Sequence, residues 1–361
     1  MRVRDYVFAM KTNHVLGWST PQRFSRWRKS WQFVIDSWQF IYTLLTFRTL
    51  SGQLKSGGLL LLYGLISLII LISCSKKDQS HDNGKINILA TTGMIGDAVK
   101  NIARDSANVV ALMGPGVDPH LYKATQGDLK KLQNADIIFY NGLHLEGKMS
   151  EIFEKLKRQK PVYPVSDGVP VSSLKVTDPN SNIYDPHIWF DVSIWKYAVS
   201  QINEKLGEEY PANKEYFNQN AQKYLDKLDS LHQSVIKMVN EIPEDERVLI
   251  TAHDAFEYFG DAYGMEVKGL QGISTMSDYG LKDITDLVNF IIKRKIKAIF
   301  IETSVSERSI NAVIEGCTEK GHDVAIGGSL YSDAMGPDGT FEGTYLGMVS
   351  SNVQKIVEAL K

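Results

Sequence analysis

A long amphipathic stretch in the middle of the chain constrains the fold most. Residues 211–242 contain no glycine, and apolar or aromatic residues recur at alternating steps of four and three: Phe217, Ala221, Tyr224, Leu228, Leu231, Val235, Met238 and Ile242. This is the period of one helix face. We therefore predict a helix over about 213–241, roughly 43 Å long at 1.5 Å per residue. A coiled-coil seam would show the same stripe, but the flanking segments favour packing on the chain's own domains.

Strand and helix signals alternate on both sides of this stretch. Before it we predict strands at 86–92, 109–113, 135–140 and 161–165, and helices after Gly96 and at 125–134, 149–157 and 194–209. After it we predict strands at 247–252, 266–270, 296–302 and 322–326, and helices at 255–263, 281–294, 306–320 and 344–360. Such alternation is typical of βαβ units. The predicted fold class is α/β, with two α/β lobes at 85–210 and 243–361, each a small mostly parallel sheet with helices on both faces, bridged by one long helix at 211–242.

The length of the chain agrees with two domains, and its net charge argues against one class of partner. The chain has 361 residues, which exceeds one average domain, and 43% hydrophobic with 23% charged residues is ordinary for a globular protein. A formal net charge of -2 argues against a nucleic-acid partner.

The N-terminal region does not resemble the rest. Residues 1–57 hold four of the six tryptophans among many arginines, without clean periodicity. This segment is either an amphipathic extension that lies on a membrane or an upstream miscall of the start site, which we favour. The apolar run 59–72 is shorter than the ~20 residues of a membrane-spanning helix but fits the core of a signal peptide, which we place at 58–73.

The residues that follow this apolar run indicate a lipid anchor. The sequence Leu71-Ile72-Ser73-Cys74 resembles the lipobox of bacterial lipoproteins, which implies that Cys74 is acylated and becomes the first mature residue. The polar segment 74–84 is then a flexible tether. Cys317, the other cysteine, has no partner for a disulfide, and its helical pattern predicts a small buried apolar side chain.

Three histidines and one aspartate stand out by their positions. The loop Gly114-Pro-Gly-Val-Asp-Pro-His120 follows an apolar run that we interpret as a buried strand, and Asp-Pro-His recurs at His187. His253 ends a strand-like run, and Asp333 lies in a loop of the second lobe. Three imidazoles and a carboxylate can form a complete ligand set for a divalent transition metal, in the cleft between two lobes. Nearby aspartates that could accept the second ring N–H of these histidines are Asp118, Asp185 and Asp191.

Five segments together resemble one known family. They are 117–125, 141–149, 185–191, 251–256 and 331–336, in this order along the chain. They are similar to the metal-binding solute-binding proteins of zinc and manganese ABC importers, also called TroA-like or adhesin-type lipoproteins, over essentially 85–361.

The resemblance implies a two-lobed fold with a rigid linking helix and metal ligands at His120, His187, His253 and Asp333. His144 matches a family motif but not a ligand position. It further implies a lipid-anchored, non-enzymatic monomer in the bacterial cell envelope, facing the periplasm or the exterior. Its partner would be an ABC permease in the membrane.

The metal is predicted from the ligand types. The manganese-selective branch of the family typically has glutamate where this chain has His253, and imidazole suits zinc better than manganese. Against zinc, the histidine-rich loop of many zinc binders is absent from a chain with eight histidines. We expect zinc as the cargo, with manganese or iron(II) as alternatives.

Two other functional classes compete with transport. A zinc hydrolase would need an open metal position and a general base, for which Glu302 is the candidate, although no His-Glu-x-x-His occurs. We favour the other interpretation of Glu302, as a residue that supports a metal ligand or lies at the surface. An adhesin or structural lipoprotein would need the anchor but not four converging ligands.

Overall fold

The computed structural model describes residues 84–177, 183–277 and 279–361. These residues belong to one compact unit, Asp82–Lys361. The predictions for 1–57, for the signal peptide at 58–73 and for the acylated Cys74 with its tether up to 83 lie outside the described residues. Within the described ranges, no helix is both long enough and apolar enough to cross a membrane.

The first lobe is a four-stranded parallel sheet with order β2-β1-β3-β4. Its strands are β1 (Ile86–Ala90), β2 (Ala107–Ala111), β3 (Ile137–Tyr140) and β4 (Val162–Pro164). Its helices are α1 (Gly93–Ala103), α2 (Gln126–Asn134), α3 (Ser150–Leu156) and α4 (Val192–Glu209). The predicted parallel sheet is confirmed. β1 is central and mostly buried, as expected for a strand covered on both faces.

Most boundaries of this lobe differ from the prediction by one or two residues, and two differences have a packing reason. The second strand is β2 rather than a buried strand at 109–113, and it is a half-exposed edge strand in which Val110 is 45% exposed. The apolar run continues past it because Leu112 and Met113 are buried beyond the strand end. Helix α1 begins at Gly93 rather than after Gly96. Gly96 permits close packing instead, since a Cβ there would lie 3.3 Å from that of Ala111.

The second lobe contains two parallel strand pairs, β5 with β6 and β7 with β8. Its strands are β5 (Val248–His253), β6 (Glu266–Gln271), β7 (Ala298–Glu302) and β8 (Ala325–Leu330). Its helices are α6 (Glu257–Tyr263), α7 (Leu281–Arg294), α8 (Arg308–Glu319) and α9 (Tyr345–Leu360). Cys317 lies buried in α8 as a free thiol, as predicted.

The last strand of the second lobe is displaced from its predicted range. The sequence pattern predicts it at 322–326, but it forms at β8, through Gly327 and Gly328. The glycine pair resembles the end of a strand. The structure shows that Gly327 allows a close approach instead, because a Cβ there would lie 2.7 Å from the Phe300 ring.

One long helix joins the lobes. Helix α5 (Lys214–Val239) has 26 residues and follows a short 3-10 turn at Pro211–Asn213. Its apolar face is buried in the same core as α4, α1 and α9, which agrees with packing on the chain's own domains rather than with a coiled coil. The Tyr224 hydroxyl donates to Asp97 of the first lobe at 2.8 Å. His232 Nδ1 lies 3.1 Å from the Tyr263 hydroxyl of the second lobe. The domain boundaries at 85, 211 and 243 stay a prediction.

Candidate metal centre

Each lobe contributes two of the four predicted side chains to one buried group. His120 ends the loop that leaves β2, and His187 stands in the turn before α4. His253 is the last residue of β5, and Asp333 lies in the loop after β8. The ends of parallel strands meet at one edge of a sheet, which is where open α/β folds place ligands.

The four side chains present their ligand atoms to a common point. The relevant atoms are Nε2 of each histidine and the carboxylate of Asp333, and one atom from each residue lies within 4.8 Å of the others. His120 Nε2 is 3.3 Å from His187 Nε2. The Asp333 oxygens lie 3.4 Å from Nε2 of both His187 and His253, and 3.8 Å from that of His120. Ligand atoms about 2.0–2.1 Å from a tetrahedral zinc ion would be roughly 3.3 Å apart.

His187 is held by a carboxylate from its own turn. Asp185 Oδ1 is 2.7 Å from the ring Nδ1 and also accepts the backbone N–H of His187 at 2.9 Å. This contact places a proton on Nδ1 and leaves Nε2 as the lone-pair donor once the ring is neutral. The predicted role of Asp185 agrees with this geometry.

His253 also has a carboxylate beside its ring, supplied by a neighbouring strand. Glu302, at the end of β7, approaches His253 Nδ1 with Oε2 at 2.6 Å and accepts its backbone N–H with Oε1 at 2.9 Å. Glu302 is 3% exposed. It therefore supports a ligand rather than facing a substrate, which argues against a role as a general base.

His120 lacks this kind of support. Among the described residues no carboxylate contacts its Nδ1, and the expected roles of Asp118 and Asp191 as ring acceptors are wrong. Asp118 Oδ1 instead accepts the backbone N–H of His120 at 2.8 Å. Asp191 caps α4 by accepting the backbone N–H of Ser193 at 2.7 Å. Both aspartates stabilise the main chain near a histidine, so proximity in sequence did not identify their partners.

The charges of the group are tightly coupled. Burial lowers the pKa of His187 and His253, but their carboxylate neighbours outweigh it, raising the pKa of His187 to about 9 and that of His253 well above its usual value. Burial lowers the pKa of His120 to about 4. Burial alone would raise the pKa of Asp333, yet the histidines hold it well below its usual range. The Asp333 carboxylate is thus ionised and surrounded by imidazoles.

Several buried polar atoms of the four predicted ligands and their neighbours have no hydrogen-bond partner in the described part of the protein. In the described ranges, the buried atoms without a hydrogen bond of good geometry include both Asp333 oxygens, both ring nitrogens of His253 and Glu302 Oε2. The 2.6 Å approach of Glu302 to His253 Nδ1 is therefore a close charge contact. Buried polar atoms are normally paired. Three neutral imidazoles and one carboxylate are a ligand set that fits a divalent transition metal.

Three hydrogen bonds around the site were missed from the sequence. Asn141 Nδ2 donates to the Pro186 carbonyl at 3.0 Å, and Glu146, which is buried, accepts the backbone N–H of Asn141 at 2.7 Å. The sequence identifies the 141–149 segment only as a motif. His144 in this segment is exposed and lies outside the metal group. Trp189 donates its indole N–H to the Ser332 carbonyl at 3.0 Å, beside Asp333.

Comparison with known proteins gives the family. The model of the family described as "Zinc-uptake complex component A periplasmic" matches residues 88–359. The chain belongs to this family. The chain is 50% identical over 277 residues to the manganese-binding lipoprotein MntA of Bacillus subtilis, and the match covers 77% of this chain and 90% of that protein. It is also 50% identical over 287 residues to the zinc-binding protein TroA of Treponema pallidum, covering 79% and 91%.

A solved structure of the zinc-uptake family supports the fold. The periplasmic zinc binding protein TroA from Treponema pallidum superposes with a TM-score of 0.74 at 49% identity, covering 77% of this chain and 99% of that chain. The predicted family and the predicted fold class of two lobes with a long helix are confirmed.

Proposed function

We propose that this chain is the extracytoplasmic substrate-binding component of an ABC importer. It captures one divalent transition metal ion between its lobes and delivers it to a membrane permease. The observation that carries this proposal is the buried convergence of His120, His187, His253 and Asp333. Relatives named as a manganese-binding lipoprotein and a zinc-binding protein support the same activity.

The proposed metal ligands are Nε2 of the three histidines and the Asp333 carboxylate. Two of the three imidazoles have a buried carboxylate close to Nδ1, as metal-binding histidines usually do. Four protein ligands fill a tetrahedral shell, which suits capture and release better than activation of a bound water.

Zinc is the proposed cargo, with manganese and iron(II) as alternatives. Three nitrogen ligands favour zinc, since manganese prefers oxygen. The two relatives at 50% identity carry different metals in their names, so the argument for zinc rests on the ligand types alone.

The hydrolase alternative loses its general base. Glu302 is buried against His253 and makes both of its contacts to that residue, so it is not directed at the common point of the ligands. Membership of the zinc-uptake family also makes the chain a transport protein rather than an enzyme.

The attachment of the protein to the envelope is proposed from the sequence. We propose acylation of Cys74, which would anchor a monomer at a bacterial membrane, facing the periplasm or the exterior. Several relatives are named as lipoproteins, which supports this placement. An adhesin remains the competing function for such an anchored protein.

Metal analysis of the full-length chain tests the proposal. We expect about one zinc per chain from cells grown without added metal, and resistance to exchange by excess manganese would identify zinc as the cargo. His187→Ala and Asp333→Ala should lose the metal. His144→Ala is the matched control because His144 is exposed and outside the group. A wild-type chain that retains neither zinc, manganese nor iron would contradict the function. Normal metal uptake but lost surface attachment in the His187 and Asp333 variants would favour the adhesin.

A further inference from the structure

His120 is positioned differently from the other two histidines. Asp185 and Glu302 contact the rings of His187 and His253 directly. For His120 the structure fixes the main chain instead, because Asp118 Oδ1 accepts the backbone N–H groups of His120 and Leu121 at 2.8 and 3.3 Å. The place of this imidazole therefore depends on how firmly the Asp118 carboxylate is held.

The second lobe holds that carboxylate. The Thr275 hydroxyl donates to Asp118 Oδ2 at 2.7 Å, across 157 positions in sequence. One carboxylate thus divides its oxygens between the turn that carries His120 and the loop after β6. The two lobes also approach closely here, since a Cβ on Gly116 would lie 3.3 Å from the Thr303 carbonyl oxygen.

The loop that carries Thr275 is also linked to the strand residue that pairs with His253. Gln271 Nε2 donates to the carbonyl oxygens of Thr275 and Ser277 at 2.6 and 2.5 Å. Gln271 ends β6 and is the register partner of His253 in β5. Gln271, Thr275 and Asp118 therefore link the backbone of one predicted ligand, His253, to that of another, His120.

We propose that Thr275 is a positioning residue that holds His120 in its ligand position only while the lobes are together. The inference rests on the proposed function and extends it to the order of release. When the second lobe moves, the Thr275 hydroxyl leaves Asp118, the turn at 118–121 relaxes, and His120 is the first ligand to leave the metal.

The surroundings of this hydrogen bond suit such a role. Thr275 and Asp118 are both partly exposed, whereas Trp189 and Ser332, which join the lobes on the other side of the site, are fully buried. The Thr275 contact can break without exposing that apolar packing. Water can then solvate both the hydroxyl and the carboxylate.

Release kinetics of zinc from the full-length chain test the inference. Thr275→Val removes the hydroxyl and keeps the branched shape, Thr275→Ser keeps the hydroxyl, and Thr318→Val is the control, because Thr318 is an exposed threonine of α8 whose hydroxyl donates to the Ile314 carbonyl at 3.0 Å. The release rate is followed by stopped flow with a chromogenic chelator. The melting temperature of each metal-free variant is measured beside it.

We expect Thr275→Val to release zinc about tenfold faster, at the lower end of what loss of an outer contact to a metal ligand causes. Thr275→Ser should keep the wild-type release rate. Metal-free Thr275→Val should have the same melting temperature as metal-free Thr318→Val. The inference is overturned if Thr275→Val releases zinc at the wild-type rate, or if Thr275→Ser is as fast as Thr275→Val. If the wild-type chain binds no zinc, the proposed function fails and this inference fails with it.

Discussion

Glu302 holds both the main chain and the imidazole of His253. One carboxylate oxygen accepts the backbone N–H at 2.9 Å, and the other lies 2.6 Å from Nδ1. The end of β7 thereby determines the rotation of the last side chain of β5. The nitrogen that faces Asp333 is left without a proton once His253 is neutral.

Replacing this carboxylate by an amide should weaken metal binding. In Glu302→Gln the amide N–H₂ can face His253 Nδ1, which favours the tautomer with the proton on Nε2, and that tautomer has no lone pair for a metal. We expect metal affinity to fall about 10- to 100-fold. Titration calorimetry with zinc measures the change. Glu315→Gln, an exposed glutamate of α8, should bind as the wild type does, and equal affinities for both variants would contradict the role of Glu302.

Metal binding should release protons and strengthen with rising pH. His187 has its pKa raised to about 9, so it is protonated at pH 7 in the metal-free chain and must lose its proton to bind a metal. Affinity should therefore rise between pH 6 and pH 9. Calorimetry in buffers of different ionisation enthalpy counts the protons, and a count of zero at pH 7 is the contrary result.

The raised pKa of His187 should make the metal-free chain less stable as the pH rises. This histidine has a folded pKa of about 9, which exceeds its unfolded value of about 6.5. Its contribution to the free energy of unfolding is thus fully present below pH ~6.5 and is lost as the pH rises through 9. Urea titrations of the metal-free chain at pH 6 and pH 9 should show this loss, and His187→Gln should reduce it.

Removing the Asn141 side chain should destabilise the turn before His187. Asn141→Ala takes away one of two donors to the Pro186 carbonyl, which also accepts the backbone N–H of Ile188 at 2.9 Å. Loss of one such hydrogen bond costs about 0.5–1.5 kcal/mol of unfolding free energy. Chemical unfolding of the metal-free chain measures it. Asn203→Ala removes an exposed side-chain hydrogen bond instead and should stay within ~0.5 kcal/mol of the wild type. If both variants lose the same stability, the turn is not held through Asn141.

Tyr224→Phe should remove the hydrogen bond between the long helix and the first lobe and lower the free energy of unfolding. Burial raises the pKa of Asp97 and the Tyr224 hydroxyl partly lowers it, so the variant raises this pKa further. A raised carboxyl pKa costs stability as the pH increases through it. We expect a loss of about 1.5–3 kcal/mol at pH 7, typical of a hydrogen bond to a charged group, and a smaller loss at pH 4. Tyr216→Phe, at an exposed position of the same helix, is the control, and a pH-independent loss would contradict the mechanism.

The sequence predicted those features that depend on local pattern. The stripe from Phe217 to Val235 was enough to predict α5, and the Asp-Pro-His repeats were enough to single out His120 and His187. Asp185 was proposed as a ring partner because it lies two residues from its histidine, but Asp118, at the same spacing from His120, contacts the main chain instead.

The features that were missed depend on tertiary neighbours. Glu302 contacts His253 from a strand 49 positions away, and Thr275 contacts Asp118 from the other lobe. No periodicity along the chain encodes either pair. The glycines at 96 and 327 resemble element boundaries in the sequence, although they permit close packing against residues that only the fold brings near.

The position of Trp189 gives the protein an internal optical reporter. Trp189 and Trp195 are the two tryptophans in the described ranges, and both are fully buried. The Trp189 ring lies 5.2 Å from that of His187, edge to face, and its indole N–H is bonded beside Asp333. A change in the charge of either neighbour alters the field at this indole and hence its emission. Capture of an ion should therefore be visible in the intrinsic fluorescence of the unlabelled protein.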